Sequence, residues 1–270
     1  MSGAPDPALL ARVEAMAAEL ATLGGAECRA TFGSMLSVAY KGGPASLKDP
    51  VSEVDGRVEA MIRLRLAETF PDHDIIGEEM EERPGRGHDW VWAVDPIDGT
   101  TNFVNGFPLF ASSVGVLFRG RPVAGALWCS TGHRLVPGVY HARAGGRLHF
   151  DGEPVTAAPN PGVRRRLAGE PEATRGGTGW DVRKTGSAAM ECALVAAGLL
   201  EVARFAAPNL WDVAGGVALV QAAGGIALEQ TEQGWAPLDR FAHEKDDLSE
   251  WRRPLAIGPA DAVRRLVENA

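Results

Sequence analysis

The sequence predicts an α/β fold in which helices and sheets pack together. Three observations predict it: an amphipathic helix near the N-terminus, a β-rich middle of neighbouring antiparallel strands, and a second half in which strands alternate with helices. The 270 residues fit one large domain or two closely packed halves. Residues 155–165, rich in Pro, Gly and charge, offer the best internal boundary. We therefore expect two halves, 1–160 and 161–270, that form one compact unit.

Two helices are expected at the start of the chain. Apolar residues recur at helical spacing over residues 7–23, and Gly24-Gly25 is expected to end this helix. Residues 30–40 fit either a strand or a continued helix, and that choice stays open. Ser52 is a good N-cap for the second helix, with Asp55 at its third position as in a capping box. Capping alone explains Asp55, so a functional role needs support from elsewhere.

The loop between these helices carries two lysines. Its Gly- and Pro-containing residues 41–44 could act as a lid, and Lys41 or Lys48 could contact a phosphate. Solvated loop lysines are the alternative for both, and the sequence leaves the choice open.

The most informative stretch is residues 90–108, WVWAVDPIDGTTNFVNGFP. Its apolar start predicts a buried strand that leads into Asp95 and Asp98, between which the chain is expected to turn. Two carboxylates directed at one point repel each other unless a cation lies between them, and Mg²⁺ takes oxygen ligands of this kind. Gly99 and Thr100 then offer backbone N–H groups that can bind a phosphate. An ordinary surface turn is the alternative.

A second acidic residue lies at the end of another apolar strand. Glu78 directly follows residues 75–77, much as Asp95 follows its own strand. Strands that deliver carboxylates at their ends often build a site at the edge of a sheet. The alternative for the acidic residues 78–82 is a solvated charge run.

The remaining elements alternate in type. We expect two hairpins, formed by residues 110–118 with 123–128 and by residues 138–142 with 147–150. A buried helix over 187–197 and a strand over 199–205 come next. A helix then begins at Asn209, carries Asp212 in its first turn and ends at Gly224-Gly225. The last elements are strands over 226–229 and 254–257 and a helix over 261–267.

Composition excludes several classes of protein. A net charge of −8 argues against nucleic-acid binding, and 45% hydrophobic residues are typical of a soluble globular protein. No apolar run would span a membrane and no signal peptide is visible, so we expect a cytoplasmic protein. The three cysteines are too scattered for a disulfide framework or a zinc site. The six histidines show no ligand spacing, which argues against a zinc hydrolase.

Five motifs in this order resemble the inositol monophosphatase family of metal-dependent sugar-phosphate phosphatases. They are VSEVD at 51–55, IGEE at 76–79, DPIDGTTNFVNGFP at 95–108, TGSAA at 185–189 and WDVAGG at 211–216. The resemblance covers nearly the whole chain. It implies an α/β (α+β) layered sandwich of alternating helix and sheet layers, the sugar-phosphatase fold. It also implies a site between the two halves, with most metal ligands in the first.

The resemblance implies Mg²⁺-dependent hydrolysis of a small phosphate monoester, with two or three Mg²⁺ ions. By motif, the metal ligands would be Glu78, Asp95, the Ile97 carbonyl, Asp98 and Asp212. Asp55, Glu78 and Thr100 would be catalytic, with Asp55 and Thr100 positioning and deprotonating the attacking water. Gly99 and Thr100 would hold the phosphate, while Asp98, Asp212 and the Ala188 backbone would meet substrate hydroxyls. A homodimer is implied as well, with no nucleic-acid or membrane partner.

The sequence departs from the inositol-specific pattern at one substrate position. Phe205 stands where those enzymes have a Glu that contacts substrate hydroxyls, and an aromatic ring cannot accept such hydrogen bonds. The neighbouring Arg204 could bind a second anionic group or be solvated. Inositol monophosphate or a similar polyol phosphate is the leading substrate. Histidinol phosphate is the runner-up. The further alternatives are fructose 1,6-bisphosphate, a nucleotide 3′-phosphate and a non-catalytic metal- or phosphate-binding regulator.

Overall fold

Helices and sheets alternate in layers in this fold. The computed structural model describes residues 5–41, 50–80, 87–169, 179–241 and 247–268. The helices of these residues are α1 (Pro7–Thr31), α2 (Glu53–Thr69), α3 (Thr100–Val104), α4 (Ala188–Ala196), α5 (Leu210–Ala222) and α6 (Ala260–Glu268). A single 3₁₀ turn covers Leu248–Glu250. None of the helices described has both the length and the apolar character needed to cross a bilayer.

The first large sheet has seven strands, which follow one another in sequence order. Two short strands precede it and pair antiparallel with each other, β1 (Val38–Tyr40) and β2 (Pro50–Ser52). The sheet itself contains β3 (Asp74–Gly77), β4 (Trp90–Asp98), β5 (Ala111–Phe118), β6 (Arg121–Cys129), β7 (Gly138–Arg143), β8 (His149–Phe150) and β9 (Glu153–Pro154). Only β3 and β4 run parallel, while the other neighbours are antiparallel. Both predicted hairpins, β5–β6 and β7–β8, are confirmed.

The second large sheet has six strands in the order β11-β10-β12-β15-β13-β14. They are β10 (Leu167–Gly169), β11 (Asp181–Arg183), β12 (Val202–Phe205), β13 (Ile226–Thr231), β14 (Gly234–Pro237) and β15 (Leu255–Gly258). The strands β10 and β11 were not predicted, because three residues carry too little alternation to be read as a strand. The strand β14 was not predicted either. The first sheet uses residues 74–154 and the second residues 167–258. The division of the chain at residue 160 stays a prediction.

Three buried apolar clusters hold five layers together. In order, the layers are α1 with α2, the first sheet, α4 with α5, the second sheet, and α6. One lies between α1, α2 and the first sheet, and a second, containing α4 and α5, separates the two sheets. The third joins the second sheet to α6. Burial of apolar surface drives this packing, since each sheet can cover both of its faces only with helices. The predicted α/β layered sandwich is confirmed.

The helix α1 runs straight through Gly24 and Gly25 to Thr31, so the predicted helix end at these glycines was wrong. A Cβ at Gly24 would lie 2.2 Å from Ser112 Oγ, and one at Gly25 would lie 2.2 Å from a ring carbon of Trp128. Both glycines therefore allow α1 to lie close against the first sheet. The segment that the sequence left open is the end of this helix followed by β1.

The helix α5 approaches the opposite face of the first sheet equally closely. A Cβ at Gly125 would lie 2.3 Å from the Gly215 carbonyl oxygen, and one at Gly115 would lie 2.6 Å from Gly215 N. Side chains at these positions would push α5 away from β5 and β6. The close packing therefore fixes the first turn of α5, which carries Asp212, relative to the sheet.

Candidate active site

The residues predicted for the site all lie at the ends of elements. Glu78 follows β3, Asp95 and Asp98 lie in the last part of β4, and Asp212 lies in the first turn of α5. The expected turn between Asp95 and Asp98 was wrong, because β4 continues to Asp98 with an irregular register against β5. Such an irregularity redirects side chains without ending the strand.

One carboxylate oxygen of Asp55 caps the helix α2, and the other faces Thr100 in the candidate site. Oδ2 accepts hydrogen bonds from Ser52 N at 2.8 Å and Ser52 Oγ at 2.6 Å, which confirms the predicted capping box. Oδ1 lies 3.2 Å from Thr100 Oγ1. Burial raises the pKa of Asp55 above its usual range, although the bonds from Ser52 oppose that shift. Helix capping and proximity to the site are thus properties of one side chain.

Thr100 begins the short helix α3 beside this carboxylate. Its hydroxyl lies 2.8 Å from the Ile97 carbonyl oxygen as well as 3.2 Å from Asp55 Oδ1. The hydroxyl has a single proton to donate, so its hydrogen bond can switch between the Ile97 carbonyl oxygen and Asp55 Oδ1. The Ile97 carbonyl keeps a second lone pair for another partner.

Gly99 precedes Thr100 with a φ of +91°, which an L side chain rarely adopts. A Cβ here would also lie 3.1 Å from the Gly186 carbonyl oxygen. The Asn102 amide tethers the same turn, because its Nδ2 lies 2.6 Å from the Leu109 carbonyl oxygen and 2.8 Å from that of Thr185. The turn after β4 is therefore held against the segment that precedes α4.

Asp98 is held by the start of α4. Its Oδ2 accepts hydrogen bonds from Ser187 Oγ and from Ala189 N, the latter at 2.6 Å. The Ala188 backbone also stabilises the ionised carboxylate. Burial nevertheless raises the pKa of Asp98 to about 6. The roles of Ser187 and Ala189 were not predicted, although both belong to the TGSAA motif.

Four carboxylates converge beside this turn. Burial, together with nearby carboxylates, raises the pKa of Asp95 well above its usual range. Those neighbours are Glu78, Asp98 and Asp212. Burial and then the Asp98 carboxylate raise the pKa of Asp212 to about 8, although its Oδ2 accepts a hydrogen bond from Asn209 N at 2.8 Å. Mutual repulsion of this kind is relieved when a cation binds between the groups.

One carboxylate oxygen of Asp95 lacks the partner that a metal ion would supply. Asp95 is 1% exposed, and its buried Oδ1 has no hydrogen-bond partner within the described residues. An unpaired buried carboxylate oxygen is costly unless a cation completes it. Hard divalent cations prefer oxygen donors such as these carboxylates.

Lys41 and Glu79 join the site, although the sequence left Lys41 open and gave Glu79 no role. Lys41 Nζ lies 2.7 Å from both Glu78 Oε1 and Glu79 Oε1. Burial raises the pKa of Glu79 to about 7 against the opposing effect of Lys41. Its position in the IGEE motif is the feature of the sequence that could have pointed to a role for Glu79. Lys48 and residues 42–44 of the expected lid lie outside the described residues.

Phe205 lies at the end of β12 and pairs in register with Leu255 of β15. It is 5% exposed and belongs to the apolar cluster between the sheets. Its proposed contact with substrate stays a prediction, and its packing gives it a structural role as well. The neighbouring Arg204 pairs with Ala256 in the same two strands.

Comparisons with known proteins agree with the geometry. The sequence profile of the inositol monophosphatase family matches residues 9–254. Over 221 residues, the chain is 32% identical to "Phosphatase IMPL1, chloroplastic" of Arabidopsis thaliana, with 76% of this chain and 58% of that protein covered. Over 192 residues, it is 30% identical to "Fructose-1,6-bisphosphatase/inositol-1-monophosphatase" of Aquifex aeolicus, with 66% of this chain and 71% of that protein covered.

A solved structure supports the fold independently. The extragenic suppressor protein suhB from Bartonella henselae matches with a TM-score of 0.75 at 23% identity, covering 96% of this chain and 100% of that chain. At this identity the likeness concerns the fold alone. With the profile match over most of its length, the chain belongs to the inositol monophosphatase family, whose members are phosphoric monoester hydrolases that generally use a divalent metal.

Proposed function

We propose that this protein hydrolyses a small phosphate monoester with Mg²⁺, and that inositol monophosphate or a similar polyol phosphate is its substrate. The observation that carries the proposal is the convergence of carboxylates around the orphaned Asp95 oxygen, next to the Thr100–Asp55 pair. A binding protein would have no need for a proton acceptor beside such a cluster.

Two or three Mg²⁺ ions would be held by the side chains of Glu78, Asp95, Asp98 and Asp212 and by the Ile97 carbonyl. When bound, Mg²⁺ lowers the pKa of bound water and neutralises charge on the phosphoryl and leaving oxygens. The carboxylates supply the oxygen donors. Burial, and with it the mutual repulsion that such ions relieve, raises the pKa values of Asp95, Asp98 and Asp212.

The chain's own residues would handle the proton and the phosphate. Asp55 Oδ1, which faces Thr100, would receive the proton of the attacking water through the Thr100 hydroxyl. Glu78 would contribute to catalysis as a metal ligand next to Asp55 and Thr100. The backbone N–H groups of Gly99 and Thr100 would bind the phosphate, as N–H groups at the start of a helix can. The rest of the substrate would be bordered by Asp98, Asp212, Ala188 and Phe205.

Water is proposed to attack phosphorus directly, without a phosphoenzyme. Burial raises the pKa of the Cys129 and Cys192 thiols, which keeps both as unreactive thiols. A phosphoenzyme trapped during turnover would contradict direct attack.

Fructose 1,6-bisphosphate is the second candidate substrate. The printed name of the Aquifex aeolicus relative combines this activity with inositol-1-monophosphatase activity.

The test is phosphate release with Mg²⁺ from four substrates: inositol 1-phosphate, fructose 1,6-bisphosphate, histidinol phosphate and adenosine 3′,5′-bisphosphate. We expect the highest kcat/KM with inositol 1-phosphate. Asp95→Asn is the matched control for contaminating phosphatases, because it removes one charge with little change in shape. It should reduce turnover by roughly 100-fold or more, since metal binding supplies several kcal/mol to the transition state. Mg²⁺ binding without release from any substrate would favour the non-catalytic regulator.

A homodimer and a cytoplasmic location complete the proposal. Both follow from the family resemblance and the composition. Light scattering coupled to size-exclusion chromatography would measure the mass of the particle in solution.

A further inference from the structure

A cluster of metal-ligating side chains lies on the first sheet, away from the candidate active site. Glu14 comes from α1, His141 from β7 and His149 from β8. One ligand atom from each residue lies within 4.8 Å of the other two. In the order of the sheet, β7 is three strands away from β4, which carries Asp95 and Asp98. None of these three residues contributes to the proposed phosphatase chemistry.

The pairing of β7 and β8 places both imidazoles on one face of the sheet. His141 and His149 are directly opposite each other in the antiparallel register. Their rings stack with centroids 5.1 Å apart and planes inclined by 13°. Side chains opposite each other in such a pair project from the same face, which is the face that α1 covers here.

Glu14 supplies an ionised carboxylate to this pair. It is 5% exposed, and its Oε1 lies 2.8 Å from His141 Nδ1. Its other oxygen, Oε2, accepts a hydrogen bond from Arg143 Nη1. Burial raises the pKa of Glu14, but the bonds from His141 and Arg143 outweigh burial and leave it below its usual value. Because Arg143 engages Oε2, Oε1 is the oxygen that faces His141.

His149 provides the independent observation that points to a ligand. Its Nδ1 is buried and has no hydrogen-bond partner within the described residues. A buried ring nitrogen without a partner is costly, and an unseen partner is its usual explanation. A neutral imidazole can offer either nitrogen to a metal, depending on its tautomer.

We propose that Glu14, His141 and His149 bind a divalent transition-metal ion of the Zn²⁺ class. Two imidazoles and one carboxylate are the donors that such ions favour, whereas Mg²⁺ favours oxygen donors alone. Arg143 holds the Glu14 carboxylate from its far side, as outer partners of metal ligands do. The ion would join α1 to the β7–β8 edge, so its effect is on stability rather than on phosphate chemistry.

The test uses the full chain, first stripped with a chelator and then kept in excess Mg²⁺ to occupy the carboxylate site. Zn²⁺ is added to one equivalent, and binding is measured by calorimetry and by X-ray absorption at the zinc edge. We expect imidazole scattering in the zinc spectrum, because the candidate active site offers only oxygen ligands. Zinc with an oxygen-only shell would overturn the proposal without affecting the proposed function.

A pair of variants assigns the site. His149→Asn removes the unpartnered ring and leaves the contacts of Glu14 with His141 and Arg143 in place. Loss of an outer partner alone costs about 10–100-fold in affinity, so loss of this ligand should weaken Zn²⁺ binding by roughly 100-fold or more. Zn²⁺ should raise the Tm of the wild type but not that of the variant. Equal Zn²⁺ affinity in both would contradict the site.

The matched control is His88→Asn. His88 Nδ1 also lies 2.8 Å from a carboxylate oxygen, that of Asp74, but outside the cluster. Zn²⁺ affinity should be unchanged in this variant, and a loss equal to that of His149→Asn would also count against the site. If the His149 variant fails to fold, two imidazoles in the zinc shell of the wild type together with unchanged affinity in His88→Asn still assign the site, and a shell without imidazole still overturns it.

Discussion

At the scale of single residues, Asp55 shows how one side chain serves both fold and site. The sequence pattern explained it completely as a helix cap, and the structure confirms that cap through Oδ2. Oδ1 is left to face Thr100, which starts a different helix 45 residues later. A carboxylate has two oxygens, so one contact does not preclude the other.

Thr100→Val tests the proposed proton path, since valine keeps the shape and removes the hydroxyl. We expect kcat to fall by about 10²–10⁴-fold, the usual contribution of general acid–base groups. The hydroxyl bonds two buried acceptors, Asp55 Oδ1 and the Ile97 carbonyl, so we also expect its loss to cost about 1–3 kcal/mol of stability. Steady-state kinetics would measure the effect. Thr100→Ser, which restores the hydroxyl, should recover most of the activity, and equal losses in both variants would exclude this role.

At the scale of elements, close contacts between helices and sheets explain where glycine occurs. Gly24 and Gly25 resemble a helix end in sequence, yet both lie within α1. The ring of Trp128, on the opposing strand β6, occupies the place of a Gly25 side chain. A pattern along one chain segment cannot show that neighbour, because it comes from a distant part of the sequence.

Gly25→Ala should therefore destabilise the protein, even though alanine is the better helix former. Its Cβ would lie 2.2 Å from the Trp128 ring, and overpacking of this kind costs roughly 1–3 kcal/mol. The control is Gly56→Ala in α2, where no atom lies within 4 Å of the added Cβ. That variant should gain about 0.5–1 kcal/mol. Urea unfolding would measure both, and a stable Gly25→Ala protein would mean that α1 lies further from β6.

The turn between α2 and β3 should make stability depend on pH. His73 Nδ1 accepts a hydrogen bond from Trp92 Nε1 at 3.0 Å, and its ring stacks 5.3 Å from Trp90. Burial lowers the pKa of His73 to about 4 from an ordinary 6.5. Because the folded-state pKa is the lower one, the neutral ring supports folding fully above about pH 6.5. That support is lost as pH falls from about 6.5 to about 4.

His73→Asn isolates this effect, since Asn can accept the Trp92 hydrogen bond but does not titrate. We expect the wild-type free energy of unfolding, measured relative to that of the variant, to decline over this pH interval. Urea unfolding at a series of pH values would give both curves. Parallel curves would show that His73 titrates normally in the folded protein.

At the scale of the whole molecule, the layers bring the proposed ligands together from distant segments. Glu78, Asp95 and Asp98 belong to the first sheet, while Asp212 comes from α5 between the sheets. The pKa of Asp212 responds to Asp98 because the packing of α5 on β5 and β6 sets their separation. A metal bound by all of them would join the sheet to the central helix layer.

Mg²⁺ should accordingly raise the Tm of the wild type. At about 100 times its dissociation constant, a ligand adds about 2.7 kcal/mol, which corresponds to about 5–10 °C for a chain of this size. Asp212→Asn should lose most of this shift. Asp261→Asn is the control, because Asp261 also lies in the first turn of a helix but is exposed, and its helix α6 packs on the second sheet. Calorimetric scans with and without Mg²⁺ would compare them, and equal shifts in both variants would exclude Asp212 as a ligand.

The sequence by itself determined the fold class, the main helices and hairpins, and the family. These features depend on local patterns, namely apolar periodicity, caps such as Ser52 with Asp55, and short motifs whose residues are neighbours in the chain. Short strands such as β10 and β11 could not be predicted, because three residues carry almost no alternation of apolar and polar side chains.

Tertiary structure alone decided which distant residues meet. The histidines show no ligand spacing along the chain, yet strand pairing places His141 opposite His149, and the packing of α1 adds Glu14. In the same way, Lys41 meets Glu78 and Glu79, and the start of α4 meets Asp98. Such contacts depend on how layers pack over long sequence separations, and the free energy of that packing is distributed over the whole core rather than encoded at any one site.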